Sequence, residues 1–392
     1  MRVLFVVFSL PGHLNPLLGV AQHLEHAGHD VEIASMEDIS ARVATAGLAA
    51  RCHVAGSWRR PANPGRRADF AALLRNPRIA RAWYQHMLIT PASAEAAALR
   101  QIVRTSRPDV IATDALAYAG AIVAEQERVP WASISTQLLA LAPPDFHCEY
   151  THYLDALAAA RDQLFAAEGV TLRCERGEVR SPWLSTVFAT DALAPASGDA
   201  TCVGPPVPLG NRGDEASLPW NRLRSDKPLV YVSFGSHLAP PTAVLESIAN
   251  ALTGDEADIV LATGDADISS VPDHVIAVPW VPQLAVLARA RIMITHGGAN
   301  SVAEALRRGV PLLVVPLGHE QPLQAHLIER AGAGVTLALE DASPTAFAQA
   351  LRTLLADGPH RERAGELGRS YAAANGSRRT AELLAAIVPE AA

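Results

Sequence analysis

The 392 residues include a single lysine, Lys227, so the positive charge of the chain rests almost wholly on arginine. A phosphate-binding loop of the Gly-x-x-x-x-Gly-Lys type is thereby excluded, and a Schiff-base cofactor would have to use Lys227 itself. Cysteine is scarce too. The four thiols (Cys52, Cys148, Cys174 and Cys202) are scattered without a Cys-x-x-Cys pair, which points to buried thiols of a reducing compartment rather than a zinc site or a disulfide framework. No apolar run reaches the roughly 18 residues that a membrane span needs. Acidic residues outnumber basic ones, giving a formal charge of −7 and a pI near 6.1. That balance is a poor match to nucleic acid or to an anionic bilayer.

What is present is globular. Hydrophobic residues make up 49% of the chain and charged ones 19%, and the length suits two domains of about 200 residues each. Short apolar runs alternate with longer helical patterns, as in parallel sheets with crossover helices. The first half reads as strands at 3–8, 31–34, 109–113 and 131–134, with a helix over 16–27. The run behind Met1-Arg2 is read as that first strand and not as a leader, because Pro11-Gly12-His13 follows where a cleavage site would develop. The expected location is cytoplasmic. The second half starts again, with strands at 229–234, 259–262, 275–278, 292–295 and 312–315 and a helix beginning at 244. The expected fold class is α/β, with two facing, doubly wound, Rossmann-like domains and a cleft between them. The domains are placed at 1–204 and 227–375, joined by a Pro/Gly-rich linker at 205–226. A last helix within 376–392 is expected to pack back on the first domain.

The densest signal lies in the second half. It reads Trp280-Val-Pro282-Gln283, then Thr295-His296-Gly297-Gly298-Ala-Asn300-Ser301, Glu304, Gly309-Val-Pro311, Pro316 and Glu320-Gln321. Glycines at a strand end followed by a helix start offer free N–H groups and a positive dipole end to an anion. His296, Asn300 and Ser301 add side-chain donors, which together make a diphosphate cradle without lysine. Glu304 can accept from a ribose diol, and Trp280 offers a flat face to a base. The competing reading, glycines for packing and Asn300 or Ser301 as a plain cap, does not account for the whole spacing.

This pattern resembles the donor signature of the UDP-glycosyltransferase superfamily of GT-B fold, close to the inverting bacterial enzymes that glycosylate natural products and macrolides. The resemblance implies that Trp280 stacks on the base and that Gln283 and Glu304 hold the ribose. It implies that Ser236, His296, Gly298, Asn300 and Ser301 bind the pyrophosphate, and that Glu320 and Gln321 bind the sugar. The family often has Asp-Gln where this chain has Glu320-Gln321. A carboxylate that reads a ribose diol favours UDP over thymidine nucleotides, whose sugar lacks the 2′-hydroxyl.

In the first half, Gly12-His13-Leu14-Asn15-Pro16 is read as the turn between the first strand and its helix. A neutral His13 there, its pKa lowered by the helix N-terminus, suits a general base. Asp114 ends a later strand and can orient the ring; its competing reading is the N-cap of the next helix. By resemblance the two are the catalytic dyad. The implied reaction is a single inverting displacement that needs no metal and no resident cofactor, the UDP-sugar (UDP-glucose first) being a co-substrate. The other expected partner is a small lipophilic hydroxylated acceptor.

For that acceptor, Trp58, Phe70, Trp83, Tyr84, Phe146 and Tyr150 are candidates, with ordinary core contacts as the alternative for each. The arginines Arg59-Arg60 and Arg66-Arg67 fit either an anionic acceptor or a solvated loop. Asp265-Ala266-Asp267 is read as a solvated turn and not as a metal motif. Two rivals stay open: a UDP-N-acetylhexosamine epimerase of the same architecture, and a silent nucleotide-sugar binder. A nicotinamide dehydrogenase is disfavoured because neither first turn carries a full Gly-x-Gly-x-x-Gly.

Overall fold

The computed structural model of the protein describes residues 1–56, 67–210, 216–268 and 270–388. In chain order its strands are β1 (Arg2–Val7), β2 (Asp30–Ser35), β3 (Arg51–Val54), β4 (Val110–Asp114), β5 (Trp131–Ser135), β6 (Arg173–Glu175), β7 (Glu178–Arg180), β8 (Leu184–Val187), β9 (Ala200–Cys202), β10 (Leu229–Ser233), β11 (Asp258–Ala262), β12 (Val275–Val278), β13 (Ala290–Thr295), β14 (Leu312–Val314) and β15 (Gly334–Thr336). Two parallel sheets carry the molecule. The first runs β3-β2-β1-β4-β5-β8-β9 and the second β12-β11-β10-β13-β14-β15, with β6 and β7 as a separate hairpin. Val3, Leu4 and Phe5 are almost wholly buried, as are Ile292, Met293 and Ile294. Strands covered by helices on both faces require such unbroken apolar runs. The sequence reading misses β3, β8, β9 and β15 of the two sheets and both strands of the β6–β7 hairpin, all of them three or four residues long, where periodicity has too few residues to register.

Each sheet reverses its winding at one place, between β1 and β4 in the first and between β10 and β13 in the second. The loops that follow those two strands diverge to opposite faces, and the crevice opened there is where ligands bind in such sheets. Among the described residues no helix is long and apolar enough to cross a membrane.

One local expectation is corrected. The first helix spans Pro11–His26, not 16–27, so His13 sits in its first turn and Pro16 lies inside it. Proline is well suited to the first helical position, and Pro11 opens the helix there. Pro16 has no N–H for the carbonyl of Gly12, four residues back. That carbonyl is taken instead by Asn300 Nδ2 of the second half, at 3.0 Å. Asp114, in turn, closes β4, and the helix after it, Tyr118–Glu127, has Ala117 at its N-cap.

The chain crosses between the halves twice, and the crossings touch. Gly376 N donates to Pro205 O at 2.8 Å, and a Cβ on Gly376 would strike the carbonyl of Gly204. Asn375 caps the last helix, Gly376–Ala386, by accepting from Arg378 N. That helix buries Ala381 and Leu384 in the apolar cluster around Val3, Phe5 and Leu17 of the first half.

Candidate functional site

A cavity of about 590 Å³ lies between the two sheets, walled by the loops at both winding reversals. His13, Ser236, Trp280, Gln283, His296, Gly298, Asn300, Ser301, Glu304, Glu320 and Gln321 all line it, as do Trp83, Tyr84 and Tyr150. Asp114 stands one layer behind, 1% exposed. Phe70 and Phe146 are not on the wall. Phe70 packs into the apolar cluster of the second sheet, edge-on to His237 at 5.3 Å, and Phe146 lies against His326. Trp58 lies outside the described residues.

On the first-half side, His13 Nδ1 is 2.8 Å from Asp114 Oδ2. The Thr136 hydroxyl donates to the same oxygen at 3.0 Å, and the N–H of Leu116 donates to Oδ1 at 3.0 Å. With Nδ1 engaged as the proton donor to a carboxylate, Nε2 is left as the basic nitrogen toward the cavity. Phe8 meets the ring edge-on, with centroids 5.3 Å apart, and limits its rotation. Burial disfavours the charged ring, but the Asp114 charge and hydrogen bond, with more distant help from Glu320 and Glu178, outweigh it, so the His13 pKa is raised. The expected lowering by the helix terminus is therefore corrected. A buried carboxylate at hydrogen-bond distance acts more strongly than half a unit of charge spread over a helix end. Thr136 escaped the sequence reading, although its place just past the end of β5 is the signal that could have found it.

On the second-half side the residues are pre-wired. Gln283 accepts from the Tyr231 hydroxyl at 3.0 Å and donates to Glu304 Oε2 at 2.6 Å and to Ser301 Oγ at 3.4 Å. Glu304 is buried, so its carboxylate reaches the cavity already oriented. Trp280 is 60% exposed at the rim, an unusual place for so large an apolar surface unless something flat covers it. Gln321 Oε1 accepts from the N–H groups of Leu317 and Gly318 at 2.7 and 3.1 Å, which leaves its NH₂ group for a ligand. Glu320 is half-buried at the N-cap of the helix Gln321–Arg330, and desolvation holds its carboxyl above the ordinary range.

His296 explains two glycines. A Cβ on Gly235 or on Gly298 would come within 2.7 Å of its ring, so the ring is clasped between the first loops after β10 and β13. Burial, with the charge of Arg67, lowers its pKa to about 4 despite the backbone contact at Ser233. His319 behaves alike. Burial and the neighbouring histidines lower it to about 4, its Nδ1 meets the Tyr84 hydroxyl, and its buried Nε2 has no protein partner. Both rings are neutral hydrogen-bonding groups near pH 7.

Asp265 and Asp267 are exposed, as a solvated turn requires, and Asp265 has a partner as well. Arg67 Nε donates to Asp265 Oδ1 at 2.8 Å and Arg67 N to Oδ2 at 3.0 Å. Arg67, for which the sequence leaves an anionic ligand or a solvated loop open, lines the cavity.

The family described as the C-terminal domain of erythromycin biosynthesis protein CIII-like proteins matches residues 245–387. The chain is similar to the uncharacterized UDP-glucosyltransferase YdhE of Bacillus subtilis, 25% identical over 378 residues and covering 90% of each chain. It is also similar to the oleandomycin glycosyltransferase of Streptomyces antibioticus, 26% identical over 96% of this chain and 89% of that one. Among solved structures, the glycotransferase of kitacinnamycin superposes with a TM-score of 0.79 at 25% identity, with 99% of each chain covered.

Proposed function

The chain belongs to the GT-B glycosyltransferase superfamily, and on that premise we propose that it moves a hexose from a nucleotide diphosphate sugar, UDP-glucose first, to a hydroxyl of a small lipophilic natural product. The single observation that carries this reading is the position of the His13–Asp114 pair, 2.8 Å apart, in a wall of the same cavity as the Trp280–Gln321 cradle. A protein that only held a nucleotide sugar would have no use for a carboxylate-oriented imidazole facing it. An epimerase would have no use for the aromatic wall of Trp83, Tyr84 and Tyr150.

In this reading His13 Nε2 takes the acceptor's hydroxyl proton as that oxygen bonds to the anomeric carbon. The bond from that carbon to the diphosphate oxygen breaks with its electron pair, and the nucleoside diphosphate leaves. The helix terminus at Gly298, with His296, Asn300 and Ser301, meets the charge that develops there. One displacement inverts the anomeric centre, and the proton on His13 passes to solvent. No step calls for a metal. UDP is favoured over a thymidine nucleotide in this reading because Glu304, which lines the cavity and is held by Gln283 at 2.6 Å, would accept from both hydroxyls of a ribose. The printed names of the relatives fit the wider class: a UDP-glucosyltransferase and an antibiotic glycosyltransferase.

The test is time-resolved UDP release from UDP-glucose, with phenolic, steroid and macrolide acceptors and EDTA throughout. Acceptor-dependent release matched by a glycosylated product is the expected result. Tight UDP binding with no acceptor-dependent release, or conversion of the donor to an isomer, would defeat the transferase reading.

A further inference from the structure

A diphosphate entering the cavity finds no lysine, since Lys227 Nζ is spent on Asp255 O. Two arginines are among the described residues of the wall, Arg42 and Arg67. Arg42 reaches Asn15 Oδ1 at 2.7 Å, within the first half. Arg67 is different. It opens the helix Arg67–Leu74 of the first half, yet it is bonded to the second. Besides Asp265 it reaches Gly235, whose carbonyl accepts from Nη1 at 2.8 Å. Its guanidinium also fills the space a Cβ on Gly264 would occupy, where the backbone φ of +63° already favours glycine. Phe70, three residues on, fastens the same helix to the second sheet's apolar cluster. The guanidinium thus bridges the loops after β10 and β11, next to Ser236, and close enough to His296 for its charge to depress that ring.

We infer that Arg67 is the cation that meets the donor's diphosphate, contributed to the donor site by the opposite half of the molecule, with Asp265 as its positioning partner. The inference rests on the nucleotide-diphosphate reading above. A guanidinium has five donors in a planar fork. The bonds to Asp265 and Gly235 use the Nε proton and one Nη1 proton; the second Nη1 proton and those of Nη2, which lies against Gly264, are the donors left for an incoming phosphate oxygen. Asp265 at 2.8 Å holds the fork in one orientation, so little side-chain freedom is lost when the anion arrives.

The experiment is calorimetric titration of UDP and of uridine into the wild-type protein, Arg67→Ala, Arg67→Lys and Asp265→Asn, with circular dichroism to check folding. Uridine has the base and the ribose but no phosphate, so it reports the rest of the site. Loss of a charge-assisted bond to phosphate predicts UDP binding weakened about 10–100-fold in Arg67→Ala, with uridine binding unchanged. Arg67→Lys should keep part of the affinity, and Asp265→Asn should lose less than Arg67→Ala. UDP affinity unchanged in Arg67→Ala would overturn the inference. So would equal losses for UDP and uridine, which would make Arg67 a structural strut. A wild-type protein that does not prefer UDP to uridine would instead refute the diphosphate reading itself.

Discussion

Most of the second half's polar groups on the cavity wall come from one stretch of chain, Trp280 to Gln321, with others from the ends of β10 and β11 and the loops after them. The wall opposite it is assembled from strand ends far apart, with His13 and Asp114 separated by 101 residues and Asp114 and Thr136 by 22. The two walls also treat the same side chain in opposite ways. His13 has a buried carboxylate on one nitrogen and its pKa rises. His296 and His319 are equally enclosed but meet hydroxyl and backbone partners, and both fall to about 4. Burial is common to all three, so the carboxylate decides which histidine can carry a proton and which can only share one. In the proposed reaction, one wall moves a proton and the other holds charge that develops on a leaving group.

The most severe way to break that contrast is to remove the one ring with a carboxylate. His13→Ala should lower kcat by about 10²–10⁴-fold, the usual contribution of a positioned general base, while leaving the affinity for UDP within experimental error. Steady-state kinetics with a calorimetric titration of UDP check both halves of the statement. A loss of UDP affinity as large as the loss of turnover would place His13 on the wrong side of the contrast.

The contrast also explains what could be read from residues alone. The cradle is legible because the loops after β13 and β14 and the helices that follow them lie close in sequence, so spacing alone places its donors around one ligand. His13 is legible for the same reason, by its motif after the first strand. Its pKa is not, because the sequence shows the nearby helix start and cannot show how close Asp114 comes. Thr136 is invisible at that level, and Arg67 is legible only as part of an arginine cluster open to two readings. The first is an unremarkable residue whose meaning depends on β5 lying beside β4, and the second acts only when a helix of one half docks on the other. Phe70 looked like an acceptor residue because aromatics are few here, and docking of that same helix buries it.

A milder perturbation keeps the His13 ring and removes its orienter. Asp114→Ala takes away the main influences that raise the His13 pKa and leaves burial, which lowers it, opposed only by the weaker charges of Glu320 and Glu178. The neutral ring is the active form, so wild-type kcat/KM should rise with pH to a plateau through a midpoint above the ordinary histidine value of ~6.5. In Asp114→Ala that limb should move to lower pH, and the plateau should fall by about 10²-fold, the lower end of the base's own contribution. A pH–rate profile of both proteins is the measurement, and an unmoved limb would remove Asp114 from control of His13.

The neutral histidines of the other wall make a prediction about stability, of opposite sign. A histidine with a depressed folded pKa binds fewer protons than the unfolded chain between about 6.5 and the folded value. Stability is therefore complete above about pH 6.5 and declines as pH falls toward about 4 for His319. His319→Asn, chosen because φ is +55° there and asparagine tolerates that region, should show a shallower loss of thermal stability over the same interval. His13 works the other way: with its pKa raised, its contribution is present below about 6.5 and lost as pH rises through the folded value. Melting curves from pH 4 to 8 on the two single variants separate the two slopes.

The smallest effect tests the seam where the walls meet. Pro16 cannot bond the Gly12 carbonyl inside its own helix, and Asn300 does so from the other half at 3.0 Å. Gly12 is exposed, so water can replace a lost partner, and Asn300→Ala should cost no more than about 1 kcal/mol in a melting experiment. Pro16→Ala supplies the missing N–H and lets the helix satisfy that carbonyl itself. Asn300→Ala should then cost less in the Pro16→Ala background than in the wild-type one, because the two donors compete for the same oxygen and only one of them joins the halves. Equal costs in both backgrounds would mean that the proline and the asparagine are unrelated. A smaller cost in the Pro16→Ala background would tie a helix irregularity on the proton-moving wall to the side chain that holds the charge-bearing wall against it.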